Sequence, residues 1–314
     1  METPQISHEA TEPDDGHGGD RGRPTVALLG VGALGTAVAG ALLDAARPTT
    51  VWNRSPGRDD ALVARGATRA AAVIDAVAAS DILIMTVTDH DAVREALDPA
   101  SHALRDRTIV NLTSGTPEQA RTTATWARTT GAEYLDGAAM SGTRLIGTPE
   151  AVFLYSGSQR AFARAEATLA GLGGATYLGT DPALGSLYDS ALLTVNMGLL
   201  SGFYQAVALV GTAGVGAAAF APIVTGYLPF ATGLLAQHAG QIDDGRYPPD
   251  DGSVEVLEAA MDHVVATSRR HGLGADVPEG IRRLLERAVA AGHGGQGVAS
   301  LVEMIRPGTA PPSP

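Results

Sequence analysis

The chain has 314 residues, 45% hydrophobic and 18% charged, and a net charge of −12, which argues against nucleic acid or an anionic membrane surface as partner. It has no cysteine, which excludes disulfides, thiolate nucleophiles and cysteine metal sites. All 22 basic residues are arginine, so no chemistry that needs an amine side chain is open to it.

Met1 to Arg23 is polar, acidic and rich in Gly and Pro, with no apolar h-region. It reads as a disordered leader rather than a signal peptide, and a cytoplasmic location is expected. Thr25 to Leu29 is a short apolar strand that runs into Gly30-Val31-Gly32-Ala33-Leu34-Gly35 and then an Ala/Leu-rich helix. In that order Gly30 serves a tight turn and Gly32 the approach of a pyrophosphate. Gly35 serves close packing of helix on strand. The phosphates would sit on the helix N-terminus, where free N–H groups favour negative charge.

The second strand, Thr49 to Asn53, ends without the Asp or Glu that would hold a ribose 2′-hydroxyl. It has Asn53, Arg54, Ser55 and Arg58 instead. Guanidinium groups suit bidentate contact with phosphate, so NADPH is expected rather than NADH. The other reading of the two arginines is ordinary surface charge.

The run Asp81 to Val87 reads as a buried parallel strand. Ligands of open α/β sheets bind beyond the carboxyl ends of strands. Val87, Thr88 and Asp89 are therefore candidates to line the cofactor crevice, with His90 read as a solvated loop histidine. Thr108 to Leu112 is the next strand, and Thr113 and Ser114 after it are expected to face the nicotinamide ribose. Pro117 marks a helix start. Tyr134 to Asp136 reads as a strand end leading into a loop from Gly137 to Thr143. A strand at Ala151 to Ser156, a helix and a last short strand complete a doubly wound, mostly parallel sheet.

After Asp181 the strand patterns stop. Ala183 to Gly211 reads as one helix about 43 Å long at 1.5 Å per residue, apolar on nearly all sides and carrying a single charge, Asp189. Such a helix is expected to be buried all round. A membrane hairpin is the competing reading. No arginine occurs between Arg164 and Arg246 to set a topology, and Asp189, Asn196 and Gln205 interrupt the run. A subunit interface is the better expectation. Ala217 to Gln237 is apolar and expected to break at Pro222 and Pro229. Ser253 caps a helix from Val254 to His271, with Val256, Leu257, Ala260, Met261, Val264 and Val265 on one face. Two further amphipathic helices follow. No metal-binding motif occurs.

Four blocks resemble the β-hydroxyacid dehydrogenase superfamily, and more closely its imine reductase branch. They are Gly30 to Gly35, Val51 to Arg58, Asn111 to Arg121 and Gly185 to Leu193. In the hydroxyacid dehydrogenases the last block has a lysine where this chain has Asp189. The resemblance implies an Asp-type imine reductase, an oxidoreductase moving hydride from NADPH to a cyclic imine, with reductive amination also open to it. It implies an α/β Rossmann domain at 24–180, an interdomain helix at 181–213 and an all-α domain at 214–306, with a tail at 307–314. A homodimer with reciprocally swapped helical domains also follows from it. Asp189 would serve as the catalytic acid, its carboxyl raised by apolar surroundings. Met140, Leu193, Met197, Tyr227, Phe230 and Met261 are the candidate substrate-pocket residues. Where some relatives carry a tyrosine eight residues after the acid, this chain has Met197. The alternatives are a hydroxyacid or short aldehyde-acid reductase, which the absent lysine disfavours, and a catalytically silent NADPH-binding protein.

Overall fold

The computed structural model describes residues 24–306; the expected leader and tail lie outside them. These residues form two compact units that meet in sequence at Thr194 and Val195.

The first unit is an eight-stranded sheet in the order β3-β2-β1-β4-β5-β6-β7-β8. Strands β1 (Val26–Leu29), β2 (Thr49–Trp52), β3 (Thr68–Arg69), β4 (Ile82–Met85), β5 (Thr108–Asn111) and β6 (Glu133–Ala139) run parallel. β1, β4 and β5 are buried on both faces, which explains their unbroken apolar runs. β7 (Val152–Gly157) reverses and pairs antiparallel with β6, and β8 (Gly174–Tyr177) follows β7 in parallel. Helices α1 (Ala33–Asp44), α2 (Asp60–Ala64), α3 (Val73–Ala78), α4 (His90–Leu97), α5 (Pro117–Thr130) and α6 (Gln159–Leu169) connect the strands. Two apolar clusters fill the space between them and the sheet, one containing Leu28, Ile84 and Phe153, the other Leu29, Met85 and Leu97. α5 opens on a capping box, Thr116 with Gln119, with Pro117 in its first turn.

Two strand expectations need correction. β3 is absent from the sequence reading, because two residues carry no periodic signal. Gly137 to Ala139 belongs to β6 rather than to a loop. Glycine is required there: a Cβ on Gly137 would stand 2.7 Å from Leu112 and 2.9 Å from the Tyr155 ring.

α7 spans Ala183–Gly211, the length expected. Its expected burial is not met within one chain, where only Ala183, Gly185 and Ser186 are buried. The first turns lie on the sheet; most of the apolar residues beyond them, among them Leu193, Val195 and Leu199, stay exposed. α8 (Ala217–Asp244) is continuous, with Pro222 and Pro229 inside it rather than breaking it. Each proline removes one amide donor, a local loss that the Ala- and Leu-rich turns on either side outlast. By length and composition α7 and α8 could each cross a membrane.

α8 belongs to the second unit with α9 (Val254–Arg270), α10 (Asp276–Ala290) and a closing 3-10 helix, Val298–Met304. Ser253 caps α9 by accepting the Val256 amide. The inward face of α9 is Val254, Leu257 and Met261, packed with Leu285, Ala288 and Met304, and Val265 is buried further along the helix. Val256 and Ala260, expected on that face, are exposed, since they fall off the 3.6-residue stripe that begins at Val254.

Candidate functional site

The glycine turn sits where strand order reverses, since β1 pairs with both β2 and β4. Gly30 has φ +102°, and a Cβ there would stand 2.6 Å from the Thr86 carbonyl oxygen. The Thr86 hydroxyl donates to the Gly30 carbonyl at 2.6 Å. A Cβ on Gly35 would stand 2.0 Å from that same carbonyl oxygen, whereas one on Gly32 would meet nothing within 4 Å. Two of the three glycines are thus required by the protein itself. The third leaves open space at the N-terminus of α1, with Gly32 as its cap residue.

A cleft of about 630 Å³ opens at this turn, within the range of small-molecule sites. Its walls include Gly30, Val31 and Gly32, then Asn53, Arg54, Ser55 and Arg58, then Val87 and Thr88. Asn53 Oδ1 accepts the Val31 amide at 2.8 Å and its Nδ2 donates to the Ser55 carbonyl at 2.8 Å, so this residue ties the second strand to the glycine turn. Arg54 and Arg58 are exposed and have no ion-pair partner among the described residues, in contrast to Arg69, held by Asp59 and Asp60. One carboxylate, Glu95 of α4, also lines the cleft. Asp89, expected here, does not line it: its carboxylate caps α4 by accepting the Ala92 amide at 2.8 Å. Ala33, Leu34 and Gly35, the first residues of α1, also lie off the cleft wall.

A second cavity, a notch of about 60 Å³, brings together Leu34, Leu112, Thr113, Ser114, Ser186 and Asp189, with Gly137 to Ala139 of β6 as its floor. Asp189 is half-buried, and loss of solvent pushes its carboxyl above the ordinary range. The buried Thr113 hydroxyl has no hydrogen-bond partner among the described residues. Of the expected substrate-pocket residues, Met140 and Leu193 lie in the first unit. Met197, Tyr227, Phe230 and Met261 lie in the second. None of them lines the notch or the cleft. Met261 packs in the core of the helical unit, filling the α9 stripe, while Tyr227 and Phe230 are exposed with their rings 5.7 Å apart.

Behind the notch runs a buried polar network that the sequence reading missed. Ser186 Oγ donates to Asp136 Oδ2 at 2.6 Å, and the Tyr134 hydroxyl donates to Asp136 Oδ1 at 3.0 Å. Asn111 Nδ2 donates to the Tyr134 oxygen at 3.0 Å and lies 3.4 Å from His90 Nε2. His90 Nδ1 meets Thr123 Oγ1 at 2.9 Å. His90 is therefore a buried network member, 1% exposed, not a solvated loop residue. Burial holds its imidazole below the ordinary value, and a neutral ring is what the partners require: Nε2 accepts from Asn111 while Nδ1–H donates to Thr123. Burial pushes the Asp136 carboxyl up to about 6; with the His90 ring neutral, their 3.9 Å approach is not a salt bridge between two full charges. The available signal was an acid, Asp136, in the middle of β6 with Leu135 and Gly137 beside it.

The residues at the turn and cleft fit a dinucleotide phosphate: open space over Gly32, free amides at a helix start and two unpaired guanidinium groups. Comparison with known proteins agrees. Residues 25–179 match the family model described as the NAD binding domain of 6-phosphogluconate dehydrogenase, and residues 181–307 the model described as NADPH-dependent reductive aminase-like, C-terminal domain. The chain is 37% identical to an NADPH-dependent reductive aminase of Aspergillus oryzae, covering 90% of this chain and 97% of that one. A reductive aminase from Aspergillus terreus, solved with cyclohexanone and allyl amine, is 41% identical with a TM-score of 0.86, over 91% of this chain and 100% of that one. An imine reductase from Streptomyces aurantiacus is 33% identical with a TM-score of 0.87, over 90% and 99%. The chain belongs to the family of NADPH-dependent reductive aminases and imine reductases.

Proposed function

We propose that this protein reduces C=N bonds of imines with NADPH, and that Asp189 is its acid. Bound in the cleft, NADPH supplies the hydride for the imine carbon. A protonated imine is the better hydride acceptor, and a carboxylate beside the nitrogen stabilises that positive charge or delivers the proton. The observation that carries this reading is the place of Asp189. It is a lone half-buried acid in a notch beside Thr113, Ser114 and Ser186, in a chain without a lysine. Gly30, Val31, Gly32, Asn53, Arg54, Ser55, Arg58, Val87 and Thr88 are proposed to hold the cofactor.

The notch is too small to contain a substrate. We infer that a second copy of the chain completes it, as a homodimer with reciprocally swapped helical domains in the cytoplasm. The exposed apolar length of α7 and α8 supports that reading. In it, residues 24–180 are the nucleotide domain, 181–213 the linking helix and 214–306 the helical domain. Leu193, Met197, Tyr227 and Phe230 remain candidates to meet substrate in the assembled dimer.

The likeness to an enzyme solved with a ketone and an amine extends the proposal to reductive amination. A hydroxyacid or aldehyde-acid reductase would need a group for the substrate carboxylate, and the residues just after β6, 140–144, offer only the hydroxyls of Ser141 and Thr143 and one charge, Arg144.

The test follows NADPH oxidation with a cyclic imine such as a pyrroline, and with cyclohexanone plus a small amine. Turnover is expected with the imine, and Asp189→Ala is expected to lose about a hundredfold or more in kcat. Unchanged turnover in that variant overturns the role of Asp189. NADPH binding without turnover over a broad imine panel overturns the activity.

A further inference from the structure

The buried network has two ends, and both reach the walls of the same notch. At one end Ser186, on the first turns of α7, donates to Asp136. At the other, Asn111 Oδ1 accepts the Thr113 amide at 3.1 Å. Ser186, Thr113 and Asp189 all line the notch. Ser186 lies one turn before Asp189, so fixing it fixes the rotation of the helix that aims the carboxylate. Two more contacts secure the same turn: Gly185 N donates to Ser156 Oγ at 2.8 Å, and Ser156 Oγ donates to the Pro182 carbonyl at 3.1 Å. The fit is close, since a Cβ on Gly185 would stand 3.1 Å from Asp136 Oδ2.

We propose that Asp136 and Ser186 are positioning residues for the reaction, locking the first turns of α7 so that Asp189 and the Thr113 loop keep one mutual geometry. The proposal rests on the reading of Asp189 as the acid. A bond between two buried side chains could serve stability alone. What argues for more is that the path Ser186–Asp136–Tyr134–Asn111–Thr113 runs through three sequence-distant segments and ends on both sides of the notch, where among the described residues no backbone hydrogen bond joins α7 to the Thr113 loop. Misplacement of a reacting group by about 1 Å is worth on the order of a hundredfold in rate, so a small rotation of α7 is enough to register.

The test is a double-mutant cycle with Ser186→Ala and Asp189→Asn, read as kcat, KM for imine and the dissociation constant for NADPH. Ser186→Ala is expected to lower kcat roughly tenfold to a hundredfold while NADPH binding stays within twofold, because the cleft is built from other residues. In the Asp189→Asn background the same substitution should change kcat by less than twofold. Ser186→Thr, which keeps the hydroxyl, is expected to restore most of the rate. If Ser186→Ala turns over within twofold of the parent, or if its loss is undiminished without Asp189, the positioning role is overturned. If Asp189→Asn itself costs nothing, the acid reading fails and takes this proposal with it, a result distinct from the other two. Should Ser186→Ala not fold, Tyr134→Phe removes the other hydroxyl held by Asp136 and is read against the same cycle and limits.

Discussion

Asn53 Oδ1 accepts the backbone amide of Val31 at 2.8 Å, and this one contact ties cofactor choice to the shape of the glycine turn. An aspartate at position 53 would keep the acceptor for Val31, lose the donor to the Ser55 carbonyl and add a negative charge beside Arg54 and Arg58. Asn53→Asp is therefore expected to lower the ratio of kcat/KM for NADPH over NADH by at least tenfold, about 1.4 kcal/mol, together with a lower melting temperature from the lost Ser55 contact. An unchanged ratio would contradict the assignment of this corner to a 2′-phosphate.

Gly32 and Gly35 should behave as opposites although they belong to one motif. Gly35→Ala drives a methyl group into the Gly30 carbonyl oxygen and is expected to cost about 1–3 kcal/mol or more of stability. Gly32→Ala meets only open space, so its melting temperature should stay near the parent value while NADPH affinity falls at least tenfold. Calorimetry and cofactor titration on the two variants decide this; equal thermal losses would refute it.

The Asp136 carboxyl, raised from 3.8 to about 6 by burial, makes stability depend on pH in a stated direction. A raised carboxyl binds its proton more tightly when folded. Its contribution is therefore complete below about pH 4 and is lost as pH rises through about 6. Asp136→Asn removes that dependence. The stability of the variant relative to the parent should rise between pH 4 and 7.5, by up to ~3 kcal/mol. His90, depressed by burial, acts in the opposite sense but is present in both proteins. A flat difference across this range would show that Asp136 ionises without penalty.

Val195 and Leu199 of α7 are 66% and 48% exposed in the single chain. Aspartate at both positions should leave the fold of one chain intact and separate a dimer into monomers at micromolar concentration, by analytical ultracentrifugation. A parent protein already monomeric at tens of micromolar without detergent would sink the dimer.

The strands were legible because continuous apolar runs such as Ile82–Met85 have only one place to go in an α/β protein. The glycine turn was legible because its spacing encodes a backbone conformation. α8 was misread because the cost of a proline is local while the pattern that sustains a helix spans many turns. The second half of β6 was misread because Gly137 and Ala139 have low strand propensity, and packing against Tyr155 overrides it. Asp89 was misplaced by one residue's difference between facing a cleft and capping a helix. The network of His90, Asn111, Tyr134, Asp136 and Ser186 left almost no trace in the sequence, since its members come from four segments and share no spacing.

The reversal of β7 and β8 determines where α7 starts. Gly157, at the end of β7, pairs with Leu135 near the beginning of β6, and β8 follows β7. The chain therefore leaves β8 low on the sheet, on the side away from the glycine turn. α7 has to climb the sheet, passing Asp136 at Ser186 and reaching Gly137 to Ala139 beside Asp189. With parallel final strands the chain would have emerged at the cleft edge, and a helix starting there would have carried its acid downhill. Two strands reversed against the rest of the sheet at its margin act as the lift that brings the carboxylate up to the level of the cofactor cleft.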